Sequence, residues 1–233
     1  MAAVKPQTTI RKFEPGDREI VRELCCDTGF LGNPIDPVFE DRELFADYLT
    51  AYYTDEEPES SFVVEQDGKV LGYLLGSRHP RRQHRYSFGQ NIWLFLRGIV
   101  RYSRYNAASR KFVNWILFQG WKEVPESPRD TPHFHINLLP EVRNVASTRA
   151  VMDAFLEYLH AQGEKRVFGQ MVVFDGRRGT RMFERYGFKV LNKAEITKYR
   201  EIHPEPVYLC TVLKDLDANS QLYAPKERAA ETG

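Results

Sequence analysis

The stretch from His133 to Phe174 constrains this chain more than any other. His133, His135 and Asn137 alternate with Phe134, Ile136 and Leu138, the period of a strand with one polar and one apolar face. Pro140 ends regular pairing. A polar turn follows, then a helix whose apolar positions Val151, Met152, Phe155, Leu156, Tyr158 and Leu159 cover a stripe wide enough to pack across a sheet. Gly163 is placed to cap its C-terminus. Residues 167–174 (VFGQMVVF) then read as an apolar strand, so the unit predicts a right-handed crossover between parallel strands. A strand leading through a tight turn into a helix presents backbone N–H groups to an anion, and a pyrophosphate is the anion expected here.

Around this unit the chain punctuates itself clearly. Residues 8–13 predict a first strand, the turn from Glu14 to Asp17 leads into a helix carrying Ile20, Val21, Leu24 and Cys25, and a second helix carries Leu44, Phe45, Tyr48 and Leu49. Two β-rich runs, 61–65 and 70–75, flank Asp67-Gly68 and predict an antiparallel hairpin. Later, 177–186 reads as a short helix ended by Gly187, and 193–200 and 206–213 as two more strands. One domain over 1–222 with a disordered tail at 223–233 is expected.

Charge is segregated along the chain although the net charge is only +1 and gives no global bias toward nucleic acid. Nine acidic residues lie between 36 and 59 against the single Arg42. Between 78 and 122 the order reverses, with ten Arg and Lys, many aromatics and no Asp or Glu. Ile92, Leu96 and Ile99 fall on one helical face and Arg97, Arg101 and Arg104 on another, while Phe112, Trp115, Ile116 and Gln119 suggest a second helix, so 78–130 reads as a helical insertion. Its arginines could be solvated or pair with the acidic stretch, lie on an anionic membrane, or hold a polyanion. The acidic stretch is either a solvated face or a site for a cation or amine.

The three cysteines show neither a disulfide framework nor a zinc spacing, and no metal site is expected. The start lacks an apolar signal core and the longest apolar runs fall far short of the ~20 residues of a membrane span, so a cytoplasmic protein is expected.

The order strand, two helices, hairpin, then strand-helix-strand, helix and hairpin resembles the GNAT superfamily of N-acetyltransferases. LLPEVRNVASTRAVMDAFLEYLHAQG (138–163) is similar to the family's acetyl-CoA stretch, and DGRRGTRMFERYGFKVL (175–191) resembles its later stretch ending in Tyr-x-x-x-Gly-Phe. HFHINLLPE and the segment from CCDTGFLGNPIDP to YYTDEEPE look most like bacterial members related to the acetyltransferase-like domain beside some O-GlcNAc hydrolases. The resemblance implies an α+β fold with a mixed sheet of about seven strands, flanking helices and the basic insertion between strands 3 and 4. It implies acetyl transfer from acetyl-CoA to a primary amine of a small molecule or a protein by direct attack. Backbone groups of Leu138 and Leu139 would pair with the pantetheine arm. The N–H groups from Asn144 through Val145, Ala146, Ser147 and Thr148 to Arg149 would cradle the pyrophosphate, with Arg143 and Arg149 adding charge.

This chain departs from the family pattern at named places. The turn's two glycines are replaced by Ala146 and Thr148, and a β-branched residue resists close approach and positive φ. Ser147 or Thr148 would compensate through a hydroxyl or by capping the helix. The position of the usual acid tyrosine is Phe183, which has no proton to give, so another group such as Tyr186 acts, the thiolate leaves unassisted, or the site is dead, and Asp175 stands where asparagine is common. For the base, His135 and His133 share one strand face and titrate near neutrality, or are satisfied structural residues. Asp36, Glu40 and Tyr52 are the acceptor-side candidates. The competing reading is a catalytically inactive GNAT-like binding protein, and the chain is expected to be a monomer or homodimer.

Overall fold

The structure, a computed structural model, describes residues 8–174, 183–184 and 186–216. Seven strands form one mixed sheet in the order β1-β2-β3-β4-β5-β7-β6. They are β1 (Thr8–Lys12), β2 (Phe62–Gln66), β3 (Lys69–Ser77), β4 (His133–Leu138), β5 (Arg166–Phe174), β6 (Lys189–Glu195) and β7 (Val207–Asp215). The expected hairpin is β2–β3, and its turn works because Asp67 and Gly68 both take positive φ, 50° and 75°.

Alternation along the strands divides the core in two. Val63, Tyr73 and Leu75 face α1 (Arg18–Asp27) and α2 (Arg42–Ala51), whereas Phe62, Val64 and Leu74 face α6 (Val145–Ala161). Val151, Phe155 and Leu159 of α6 are fully buried, as the wide apolar stripe requires, and Gly163 closes the helix at φ 79°. β4, α6 and β5 make the expected parallel crossover, but the two strands pair only at His133↔Phe168 and Phe134↔Gly169. β4 is hydrogen-bonded to β3 along its whole length, and β5 to β7 from Arg166 to Phe174. Beyond Phe134 and Gly169 the sheet therefore opens as a wedge.

The insertion between β3 and β4 is helical: α3 (Pro80–Tyr102), α4 (Ala107–Trp115), a π turn (Ile116–Gly120) and α5 (Trp121–Glu123). Three of its arginines pair with the acidic stretch. Arg97 bonds Asp47 at 2.9 Å, Arg101 bonds Asp41 at 2.8 Å and Arg82 bonds Glu56 at 3.0 Å. Asp41 is the anchor: it also caps α2 by accepting the Leu44 N–H at 3.0 Å and accepts the Tyr105 hydroxyl at 2.7 Å. Burial opposes its charge, yet Tyr105, Arg101 and the Leu44 amide hold its carboxyl below the ordinary value.

One strand boundary differs from expectation. β6 covers 189–195 rather than 193–200, because Thr197 turns into a short 3₁₀ segment, its N–H and hydroxyl both donated to the Glu123 carboxylate at 2.6 and 2.7 Å. Most of the expected helix at 177–186, and the tail from 217, lie outside the described residues.

Two of these contacts carry measurable costs. Replacing Asp41 with Ala leaves the buried Tyr105 hydroxyl and the Leu44 N–H without their acceptor and Arg101 without its partner, and should cost about 3 kcal/mol in urea denaturation. A Cβ at Gly169 would lie 2.7 Å from Cζ of Phe134, whose ring is held by Phe155 and Phe188, so Gly169→Ala should cost about 2 kcal/mol by overpacking.

Candidate active site

The wedge between β4 and β5 is where unsatisfied chemistry collects. Ladder alternation points the odd residues of β4 at β3, as the Leu139 N–H bonded to Leu71 at 2.9 Å shows, and the even residues at β5, as the Phe168 N–H on the Pro132 carbonyl shows. The backbones of Ile136 and Leu138 therefore face the gap. Arg143 donates from Nε to the Leu138 carbonyl at 3.1 Å and from its guanidinium to the Gly32 carbonyl at 3.1 Å.

At the wide end of the wedge stands the N-terminus of α6. Its N-cap is Asn144, whose side chain accepts the Ser147 N–H at 2.9 Å, while the Thr148 N–H goes to the Asn144 carbonyl at 3.0 Å. Among the described residues the N–H groups of Val145 and Ala146 have no intramolecular partner, and they sit at the positive end of a 17-residue helix. The Tyr186 hydroxyl lies 3.4 Å from the Val145 carbonyl, and burial pushes that phenol's pKa up, so it keeps its proton.

At the narrow end are the two histidines, on the sheet face opposite α6 and beside Leu75 and Ser77 of β3. The π turn Tyr52–Glu56 swings Tyr53 across to His133, with its hydroxyl 2.8 Å from Nε2. Burial keeps the Tyr53 phenol protonated, so this bond ties up Nε2 of His133 whichever of the two groups donates. Nδ1 of His133 is buried without a partner, as is Nδ1 of His135. Nε2 of His135 makes no hydrogen bond among the described residues. His135 is the first residue past the last β4–β5 pair, so its imidazole stands at the apex of the wedge. Burial pushes both rings down to about 4, with Lys198 adding to the effect on His135 and His84 and His135 to that on His133, which Glu57 partly offsets.

A polar row continues across the sheet from His135 through Gln170 to Thr211, whose hydroxyl is buried without a partner, and Asn192. The chain leaving the insertion crosses this row: Gln170 donates to the Pro125 carbonyl at 3.1 Å and Asn192 to the Glu126 carbonyl at 3.0 Å. Glu123 ties the same segment to Trp115 at 2.7 Å, and Lys198 lies over the rings of Trp115 and Tyr199 at 5.1 and 4.8 Å. The insertion thus roofs the face on which His135 is displayed.

No family model and no curated protein sequence matches the chain. Solved structures do. The crystal structure of SsHAT is similar at 27% identity over 91% of this chain and all of that one, with a TM-score of 0.65. The chain has the GNAT fold. The structure of yncA from Salmonella typhimurium with its cofactor acetyl-CoA aligns over 94% of this chain and 99% of that one, at 13% identity and a TM-score of 0.52. A Drosophila melanogaster polyamine N-acetyltransferase aligns over 90% and 100%, at 12% identity and the same TM-score, and for both the likeness is one of fold.

Within this GNAT fold the expected site residues are distributed unevenly. Leu138, Val145, Ala146, His135 and Tyr186 border the wedge or the α6 N-terminus. Leu139 does not offer its backbone to the gap, since its N–H goes to Leu71 and its carbonyl to Val142. The N–H groups of Asn144, Ser147 and Thr148 are already bonded, and the helix is capped by Asn144 rather than by Ser147 or Thr148. Arg149 is exposed and 3.5 Å from Asp153. Phe183 is buried against α6, and Asp175 lies outside the described residues. On the acceptor side, Asp36 is paired with Arg42 at 2.8 Å and Glu40 holds the Asn106 backbone and side chain at 2.7 and 2.9 Å. Tyr52 is buried and donates to Glu57 at 2.7 Å. Glu57 also accepts from Ser60, Ser77 and the Arg78 N–H, which outweigh its burial, hold it ionised below the ordinary value and fill both oxygens. Tyr53 was invisible in the sequence; its partner is 80 residues away.

The depressed histidines make stability depend on pH in a defined window. Above the ordinary value of 6.5 both folded and unfolded chains carry neutral rings. As pH falls from 6.5 toward about 4 the unfolded chain takes up protons that the folded chain refuses, and stability drops by up to about 1.4 kcal/mol per pH unit for each ring. Urea midpoints should therefore decline between about pH 6.5 and 4.5, above the carboxylate range. A His133→Gln/His135→Gln variant should show a shallower decline, and an equal one would contradict the assignment.

Proposed function

We propose that the chain is an acetyl-CoA-dependent N-acetyltransferase that acetylates a primary amine by direct attack. One observation carries this reading: the wedge opened by the two-pair contact of β4 and β5 has unpaired helix N–H groups at one end and an unbonded imidazole nitrogen at the other. The residues present fit the cofactor in reduced form. Ile136 and Leu138 would pair with the pantetheine arm, and the Val145 and Ala146 amides, backed by the α6 dipole, would meet the pyrophosphate. Acetyl-CoA, when bound, supplies the thioester whose carbonyl carbon the amine attacks.

The proton traffic is divided between the chain and solvent. Nε2 of His135 is the base by position: it has no hydrogen-bond partner among the described residues and, in the Nδ1–H tautomer, offers a lone pair directly or through water. The burial that lowers its pKa to about 4 keeps it neutral but weak, so a bound acceptor must raise its basicity for it to take the proton. His133 is less suited, because its Nε2 is already hydrogen-bonded to Tyr53. As the C–N bond forms and the C–S bond breaks, the amine proton would pass toward His135 and the departing sulfur would be protonated from solvent, because the Tyr186 hydroxyl stands beside the Val145 carbonyl at the other end of the wedge. The roof formed by Trp115, Glu123 and the 124–132 segment limits water at the acceptor face. The sequence stretches noted above ally the chain with relatives of the acetyltransferase-like domain of O-GlcNAc hydrolases. The polyamine and agmatine acetyltransferases among the structural neighbours make small amines the first acceptors to try.

A second reading, a GNAT-like protein without turnover, is favoured by Arg143 being spent on two backbone carbonyls and by the buried Phe183. The two readings separate experimentally. Calorimetry with acetyl-CoA should show binding, and thiol release over an amine panel should show turnover. His135→Ala should lower kcat about 100-fold or more with acetyl-CoA affinity changed less than about twofold, whereas His133→Ala should cost much less. Absence of binding at millimolar acetyl-CoA would overturn the proposal, and binding without turnover would favour the second reading.

A further inference from the structure

The long helix of the insertion has two faces, and among the described residues only one is packed against a partner. α3 turns Arg97 and Arg101 to the acids of α2 and its N-cap and buries Leu94. At half a helical turn from Leu94 it displays Phe88, Ile92, Phe95, Leu96, Ile99 and Val100, which are 48% to 77% exposed. Phe88, Ile92, Phe95 and Ile99 step by four, three and four residues, the spacing of a coiled-coil seam. At roughly 100 Å² per residue the stripe exposes on the order of 600 Å² of apolar surface, at the upper limit for the largest patch on a typical monomer.

We infer that this stripe is a homodimer interface in which α3 pairs antiparallel with α3 of a second copy across a two-fold axis. Area supports a second copy, since two such stripes face to face remove on the order of 1,200 Å² of apolar surface, enough for a standard-size interface. Charge sets the direction. α3 contains no acidic residue, and its first turns carry Arg81, Arg82 and Arg85, so parallel pairing would set basic turns against each other. Antiparallel pairing sets them beside the negative end of the other helix dipole. The two-fold then places Ile92 of each copy opposite Phe95 of the other, and Phe88 opposite Ile99. A membrane surface fits less well, because Arg97 and Arg101 point back into the protein and are neutralised there rather than reaching headgroups.

Sedimentation velocity of the full chain tests this. A dimer should predominate at about 10 µM, corresponding to a micromolar or tighter constant. Ile92→Lys and Phe95→Glu, each at a site about half exposed, should separately give monomers with unchanged circular dichroism and melting. The double variant should recover dimer, because only the antiparallel register sets the introduced ammonium of each copy against the introduced carboxylate of the other. A wild-type chain that stays monomeric at about 100 µM, or that is monomeric and sediments with anionic vesicles, would overturn the inference. So would a dimer that both single variants leave intact.

Discussion

Two residue pairs hold the halves of this sheet together, and the rest of the molecule is arranged around that economy. β1 to β4 form one continuous ladder and β5, β7 and β6 another, joined at His133↔Phe168 and Phe134↔Gly169. What stops the seam from parting is apolar rather than hydrogen-bonded. The Phe134 ring lies over Gly169 and is gripped by Phe155 of α6 and Phe188 ahead of β6, so the crossover helix spans the joint it creates. Longer pairing would satisfy more backbone groups but would close the gap that Ile136 and Leu138 face. The site thus exists because the sheet leaves part of its ladder unmade, at a cost the α6 contacts offset.

The same logic separates what the sequence discloses from what it hides. Alternation at 133–138, the stripe on α6 and the Asp67-Gly68 turn are local signals, and each predicts its element closely. These elements were legible for that reason, whereas their seven-stranded arrangement was expected from the resemblance to the GNAT superfamily. The β6 boundary was not legible: KAEITKYR has strand-like residues throughout, and it ends at Glu195 only because Thr197 meets Glu123, 74 residues earlier. Tyr53 reaches His133 through a π turn whose presence no residue spacing announces. Arg143 carries the right charge in the right place, but its geometry commits it to the Leu138 and Gly32 carbonyls, a contact that depends on where the α1–α2 connection packs.

The pairing of acidic and basic segments has consequences beyond stability. Asp41, Asp47 and Glu56 each accept from an insertion arginine, Glu43 and Asp47 share Arg22, Asp55 holds Arg18 and Asp36 holds Arg42. Most of these partners are at least part-exposed, so single pairs contribute little, but the network around the buried Asp41 and Arg22 fixes α3 on α2. With α3 fixed, α4 and the π turn are carried over the β6–β7 connection, where Lys198 packs on Trp115.

That chain of contacts bears on which amines could enter. Carboxylates that would attract a polycation are spent on arginines, and the charged group nearest His135 in electrostatic effect is Lys198. A polyamine approaching this face would meet a cation and aromatic rings instead of free carboxylates. An amine bearing its own anionic group would find Lys198 opposed to that charge, in a setting where the roof reduces screening and strengthens the attraction. On the proposed reading, selectivity for the acceptor would then depend on how the insertion uses these acids rather than on the strands that line the wedge.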